Sequence, residues 1–151
     1  MKGRTLLIVE DGTEYREAFR RLTPAGGDVE LLHARDGASA RRILRERRVD
    51  AVFLDVVFDR TPAEDLEGDL DDLLPRFGGD RDRAVAHLAA NQGFYIARAL
   101  APHLPTDAPV AIAWDASAEP GRLAALRESL PRLSGVSEGT PLSEVLAGLL
   151  G

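Results

Sequence analysis

Residues 49–59 read VDAVFLDVVFD. The run is rich in β-branched and aromatic side chains, which is the composition of a strand buried on both faces rather than one alternating between core and water. An aspartate in its middle, Asp55, is costly there unless the buried part of the strand ends at it and the carboxylate meets water, a counter-charge or a metal. The stretch is therefore read as a central strand of a parallel sheet, with Asp55 at its carboxyl end.

The chain alternates outward from this run. RTLLIVED (4–11) is a short apolar run closed by two acids, and GTEYREAFRRL places Tyr15, Ala18, Phe19 and Leu22 at helical spacing before Pro24 and Gly26-Gly27. DVELLHA (28–34) is a second strand, and residues 36–48 a second helix with Ala40, Ile43 and Leu44 inward. After the 49–59 run come a fourth strand, VAIAW (110–114), and a helix broken at Pro131. A weak fifth run, SGVSEG, leads to a last helix over 141–150 begun by proline. Such alternation predicts an α/β fold, a doubly wound five-stranded parallel sheet of flavodoxin-like order, because parallel strands need crossovers and the crossovers cover both faces.

Roughly fifty residues separate the third and fourth strands, more than a single crossover needs. PAEDLEGDLDDLL (62–74) reads as one acidic helix ended by Pro75 and Gly78-Gly79. Val85, Leu88, Gln92, Ile96, Ala99 and His103 recur at steps of three or four, so 80–103 reads as one long helix. Residues 59–93 are taken as a helical insertion within a single domain spanning 1–151.

Composition narrows the function classes. There is no cysteine, which removes disulfides, thiolate zinc sites and cysteine nucleophiles. Neither a leader pattern nor an apolar run long enough to cross a bilayer occurs, so a cytoplasmic protein without membrane partners is expected. A net charge of −6 argues against nucleic acid as a partner. Seven acids and one arginine fall in residues 59–72 alone, and Asp59, Glu64, Asp65, Glu67, Asp69, Asp71 and Asp72 form a candidate surface for a partner. Residues 35–48 carry six arginines against two acids, and the one lysine of the chain is Lys2. His33, His87 and His103 show no metal-ligand spacing and read as structural.

Ligands of open parallel sheets bind at the carboxyl ends of strands. Glu10 and Asp11 close the first strand and Asp55 the third, so adjacent strands would bring three carboxylates together. A hard cation with oxygen ligands, Mg2+, suits such a cluster.

These residues carry a resemblance to the receiver domains of two-component response regulators: LLIVED followed by a helix, VDAVFLD with its aspartate 44 residues after Asp11, the APVAIAW strand, and TPLSEVLAGLL at the end. The resemblance covers roughly residues 4–58 and 94–150. It implies that Glu10 and Asp11 hold Mg2+, with Asp55 as a further ligand. It also implies that Asp55 accepts a phosphoryl group from a histidine kinase.

The family also uses a Ser or Thr hydroxyl after strand four and a lysine before the proline that follows strand five. Here Trp114, followed by Asp115, and Thr140, before Pro141, stand at those positions, and the fifth run offers no switch aromatic. An atypical receiver is expected: a stand-alone, non-enzymatic interaction module of a bacterial signalling pathway, with protein partners and self-dimerisation as its outlets. Two alternatives stand beside it. One is a phosphoryl-accepting receiver using Asp55 and Mg2+ in a phosphorelay. The other is a small Mg2+-dependent phosphohydrolase, for which a second aspartate two residues after Asp55 is missing, Val57 standing there.

Overall fold

The computed structural model describes residues 3–117 and 119–151. Five strands, β1 (Arg4–Val9), β2 (Val29–Ala34), β3 (Ala51–Leu54), β4 (Val110–Ile112) and β5 (Leu133–Gly135), form one parallel sheet in the order β2-β1-β3-β4-β5. That order reverses direction between β1 and β3, the switch point at which doubly wound sheets bind ligands.

Alternation along each strand sorts the core into two layers. Leu7 and Val9 of β1 and Val52 and Leu54 of β3 pack with α2 (Gly37–Glu46), α5 (Gln92–Leu100) and α6 (Pro120–Arg127). Leu6, Ile8, Ala51 and Phe53 pack on the other face with α1 (Glu14–Leu22) and α7 (Leu142–Leu150). Phe53 is fully buried, with Tyr15 tilted against it at 4.7 Å and Phe19 edge-on at 5.1 Å between ring centroids. Truncating such a side chain costs about 3–5 kcal/mol.

Helix starts follow local chemistry. The Asp36 carboxylate accepts from the Ser39 N–H at 2.7 Å to open α2, and Asp80 accepts from the Arg83 N–H at 3.2 Å to open α4 (Arg81–Ala90). Among the described residues no helix is long and apolar enough to cross a membrane.

Two expectations for the β3–β4 connection are corrected. Residues 62–74 are not one acidic helix. They form a 3-10 turn (Ala63–Asp65), a break, and the four-residue α3 (Leu70–Leu73), after which a second 3-10 turn (Leu74–Phe77) runs through Pro75. Gly68 sits at φ +112°, outside helical geometry, and the Asp69 carboxylate starts the chain afresh by accepting from the Asp71 and Asp72 N–H groups.

Nor is 80–103 one helix: it divides into α4 and α5, with a 3-10 turn over Ala101–His103. Asn91, at φ −126° and ψ 19°, lies outside the α region, and its side-chain amide donates to the His87 carbonyl at 2.8 Å. The backbone after β3 enters this break. The Phe58 N–H donates to the Ala89 carbonyl at 2.8 Å and the Gly93 N–H to the Val56 carbonyl at 3.1 Å.

Gln92 fastens the rest of the connection. Its buried amide accepts from the Glu67 N–H at 2.9 Å and donates to the Glu67 and Leu88 carbonyls at 2.8 and 3.0 Å. Leu73, Ala84 and Leu88 build a small satellite core there, with Phe77 and Tyr95 against it.

Candidate functional site at the carboxyl edge of the sheet

Register brings the acids to one edge. Val9 pairs with Leu54, and the Asp55 N–H donates to the Val9 carbonyl at 2.9 Å, so Glu10 and Asp55 leave the sheet side by side. Asp55 is half-buried at the end of β3, and its Oδ1 accepts from the Val56 N–H at 2.8 Å. Burial pushes its carboxyl up to about 6. The Val56 hydrogen bond opposes that shift, and the charges of Glu10, Asp11 and Glu14 reinforce it.

Glu10 is 1% exposed and already committed to structure. Its Oε1 accepts from the Tyr15 N–H at 3.0 Å and its Oε2 from the Arg16 N–H at 2.8 Å, which satisfies two otherwise unpaired donors at the start of α1. His33 on β2 lies behind it, 3.6 Å from Oε2, with its Nε2 2.8 Å from the Gly12 carbonyl. A carbonyl only accepts, so Nε2 carries the proton.

Asp11 accepts at Oδ2 from the Arg60 N–H at 2.7 Å. The Arg60 guanidinium then reaches Glu14, with Nη2 to Oε1 at 2.7 Å, and holds the exposed Glu14 carboxyl below its usual range. The loop leaving β3 thus places a cation of the chain's own at the mouth of the acid cluster.

The oxygens of this donor set are largely engaged already. Both Glu10 oxygens, one Asp11 oxygen and one Asp55 oxygen are occupied by N–H donors. Among the described residues no group of three His, Asp or Glu side chains is arranged to hold a metal ion. The three acids meet at one edge of the sheet, each with at least one oxygen already accepting a backbone N–H, and do not converge into one three-residue set.

The positions at which the chain departs from the receiver pattern lie around one cleft of about 530 Å3, lined by Tyr15, Phe53, Trp114, Asp115, Glu138 and Thr140, among others. Tyr15 links it to Asp55: burial raises the Tyr15 hydroxyl pKa, and the charges of Asp55, Glu10 and Glu138 raise it further. Trp114 is half-buried, edge-on to Phe94 at 5.2 Å between centroids. The exposed Asp115 carboxyl is held below its usual range by the Ser117 N–H and hydroxyl, so Ser117 is occupied locally. Two carboxylates line this cleft and, among the described residues, no cation does. Lys2 lies outside the described residues.

Of the acidic run after β3, Asp59, Glu64, Asp65, Asp69, Asp71 and Asp72 are exposed. Glu67 differs: it is half-buried, ion-paired with Arg41 of α2, and bonded through its backbone to Gln92. Two contributors are not identified by the sequence pattern, Arg60 and Gly93, while His33 takes the structural place expected of it. A Cβ on Gly93 would fall 2.5 Å from the Asp55 carbonyl oxygen and 2.9 Å from the Val56 Cα, so glycine is what lets α5 approach the end of β3. The glycine is visible in the sequence, but its neighbour 38 positions earlier is not.

No family model matches the chain, and no curated protein matches it in sequence. Solved structures match it in fold. The solution structure of the beryllofluoride-activated NtrC receiver domain is 15% identical, covering 99% of this chain and 93% of its own, with a TM-score of 0.58. The receiver domain of a signal transduction histidine kinase from Syntrophus aciditrophicus is 19% identical, over 97% of this chain and 87% of its own, at a TM-score of 0.60. That of an HD domain-containing protein from Pseudomonas fluorescens Pf-5 is 14% identical, over 99% and 85%, also at 0.60. At these identities the likeness is one of fold, and the fold is that of a CheY-like receiver domain.

Proposed function

We propose that the chain is an atypical receiver that acts in signal transduction as a protein-interaction module, read by its partners without phosphorylation of Asp55. The observation that carries this reading is the lining of the cleft shared by Tyr15, Trp114 and Thr140. Phosphoryl transfer to an aspartate requires cations and hydrogen-bond donors where negative charge accumulates. Beside Tyr15, which feels the Asp55 charge, this cleft offers Asp115 and Glu138 and, among the described residues, no cation.

Arg60 adds support. Its peptide N–H bonds Asp11 and its guanidinium pairs with Glu14, which places one positive charge of the chain's own beside the acids. The exposed acids Asp59, Glu64, Asp65, Asp69, Asp71 and Asp72 then offer a basic protein partner its surface.

The competing reading, a phosphoryl acceptor served by a histidine kinase, draws on Asp55 Oδ2, which has no hydrogen-bond partner among the described residues. Incubation with Mg2+ and acetyl phosphate, followed by intact-mass measurement at neutral pH, separates the two. No mass gain is expected for the wild-type chain. One added phosphoryl group, absent from Asp55→Ala, sinks the proposal.

A further inference from the structure

Away from the acid edge, a cleft of about 320 Å3 opens between α4, α5, α6 and the 3-10 turn over Leu74–Phe77. Its size falls at the lower end of small-molecule sites, which run from about 300 to 1,000 Å3. Its walls are Arg76 from the turn, His87 from α4, Phe94, Tyr95 and Arg98 from α5, and Arg122 from α6. Three guanidiniums and an imidazole therefore converge from four separate elements, with no acid in the lining. This is a local reversal of sign in a chain of net charge −6.

Three like charges around one cleft repel, the more so where the walls exclude water. Among the described residues Arg76 and Arg98, both exposed, have no acidic partner within ion-pair distance. Arg122 has a 3.7 Å approach to the exposed Glu119, but its guanidinium is set by other contacts. It lies 3.8 Å from the Phe94 ring centroid and donates to the Asn91 side-chain carbonyl. A guanidinium stacked on a ring and anchored at one nitrogen loses less side-chain freedom when it binds an anion.

We infer that this cleft binds a nucleotide-type phosphate ester, the phosphoryl group held among Arg76, Arg98 and Arg122 and the planar group packed beside Tyr95. A phosphoryl group fits better than a carboxylate because three guanidiniums present more donors than two carboxylate oxygens accept. A dianion also balances more of their charge. The half-buried Tyr95 ring supplies an apolar wall, Phe94 being already covered by Arg122. Burial and the Arg76 and Arg122 charges hold the His87 imidazole below its usual pKa, so it faces the cleft neutral near pH 7 and an arriving anion raises its proton affinity. The inference is independent of how Asp55 is used.

The site carries its own reporter. Arg122 lies 5.7 Å from the ring centroid of Trp114, the chain's one tryptophan, and Phe94 touches the same indole. Titrating the full chain with AMP while following Trp114 fluorescence, with calorimetry in parallel, tests the proposal directly. Saturable submillimolar AMP binding is expected, with adenosine weaker by about tenfold or more and AMP weakened about tenfold by Arg98→Ala, since a charged hydrogen bond of this kind has that worth. Arg81→Ala, a charge removal on exposed α4 outside the lining, is expected to leave AMP affinity unchanged. A thermal midpoint equal to wild type shows that Arg98→Ala has folded. AMP binding no tighter than adenosine binding overturns the proposal. So does an affinity unaltered by Arg98→Ala, or one lowered equally by Arg81→Ala, which would mark diffuse attraction to positive charge.

Discussion

The peptide N–H of Arg60 donates to Asp11 Oδ2 at 2.7 Å, so the loop that leaves β3 closes over the acids that end β1. The same residue's guanidinium pairs with Glu14, four positions from Glu10, and places a fixed positive charge where a divalent cation would otherwise be drawn. The pair is exposed and is worth little to stability by itself. Its consequence is electrostatic.

Removing that charge is expected to open the edge to metal. Arg60→Ala leaves the peptide N–H on Asp11 but exposes the carboxylates of Glu14, Asp11 and Asp55 to one another. Calorimetric titration with Mg2+ is expected to show little heat for wild type up to about 10 mM and affinity gained by about tenfold in the variant. Equal Mg2+ affinity in the two proteins would mean that Arg60 does not govern access.

Asp55 carries a stability signature with a definite sign. Its carboxyl titrates near 6 in the folded chain and near its ordinary 3.8 when unfolded, so between those values the folded state binds more protons. Stability from this group is therefore greatest at low pH and falls as pH rises through 6. Asp55→Asn, which mimics the protonated form, is expected to raise the thermal midpoint at pH 7.5, with the gain vanishing near pH 4. A variant less stable than wild type at pH 7.5 would show that the charged form is compensated in the fold.

Gly93→Ala tests the join between α5 and β3. The added methyl meets backbone atoms, the Asp55 carbonyl oxygen and the Val56 Cα, rather than a side chain that can swing away. A loss of about 2–3 kcal/mol in urea unfolding is expected, in the range of overpacked cores. A loss below about 0.5 kcal/mol would mean that the loop after β3 yields freely.

The parts of the fold that rest on local pattern were legible in advance. Leu6 to Val9 and Ala51 to Leu54 are buried on both faces, as continuous apolar runs predict. Ala40 lies in the core with Ile43 and Leu44 packed against it, as their spacing on α2 predicts. The misread segments share one cause. The steps of three and four from Val85 to His103 continue unbroken through Asn91 because α4 and α5 both face inward, and periodicity reports which side is buried, not whether the axis is continuous. The break exists because residues 56–58, some thirty positions earlier, place their backbone there. Likewise, 62–74 has the composition of an acidic helix, but Glu67 is held by Gln92 and Arg41 in a shape that Gly68 alone permits.

Local pattern thus suffices for the parallel five-stranded sheet, the faces of its helices, and the arrival of Glu10, Asp11 and Asp55 at strand ends, because burial is written in the spacing of apolar residues along one strand or helix. What those acids meet depends on the packing of distant segments. Glu10 turns into the start of α1, Arg60 reaches Asp11 and Glu14 from 46 or more positions away, and Arg76, Arg98 and Arg122 face one another across a cleft. Each of these is a contact between distant residues. Its energy depends on distance in space, and no local period along the chain encodes that distance.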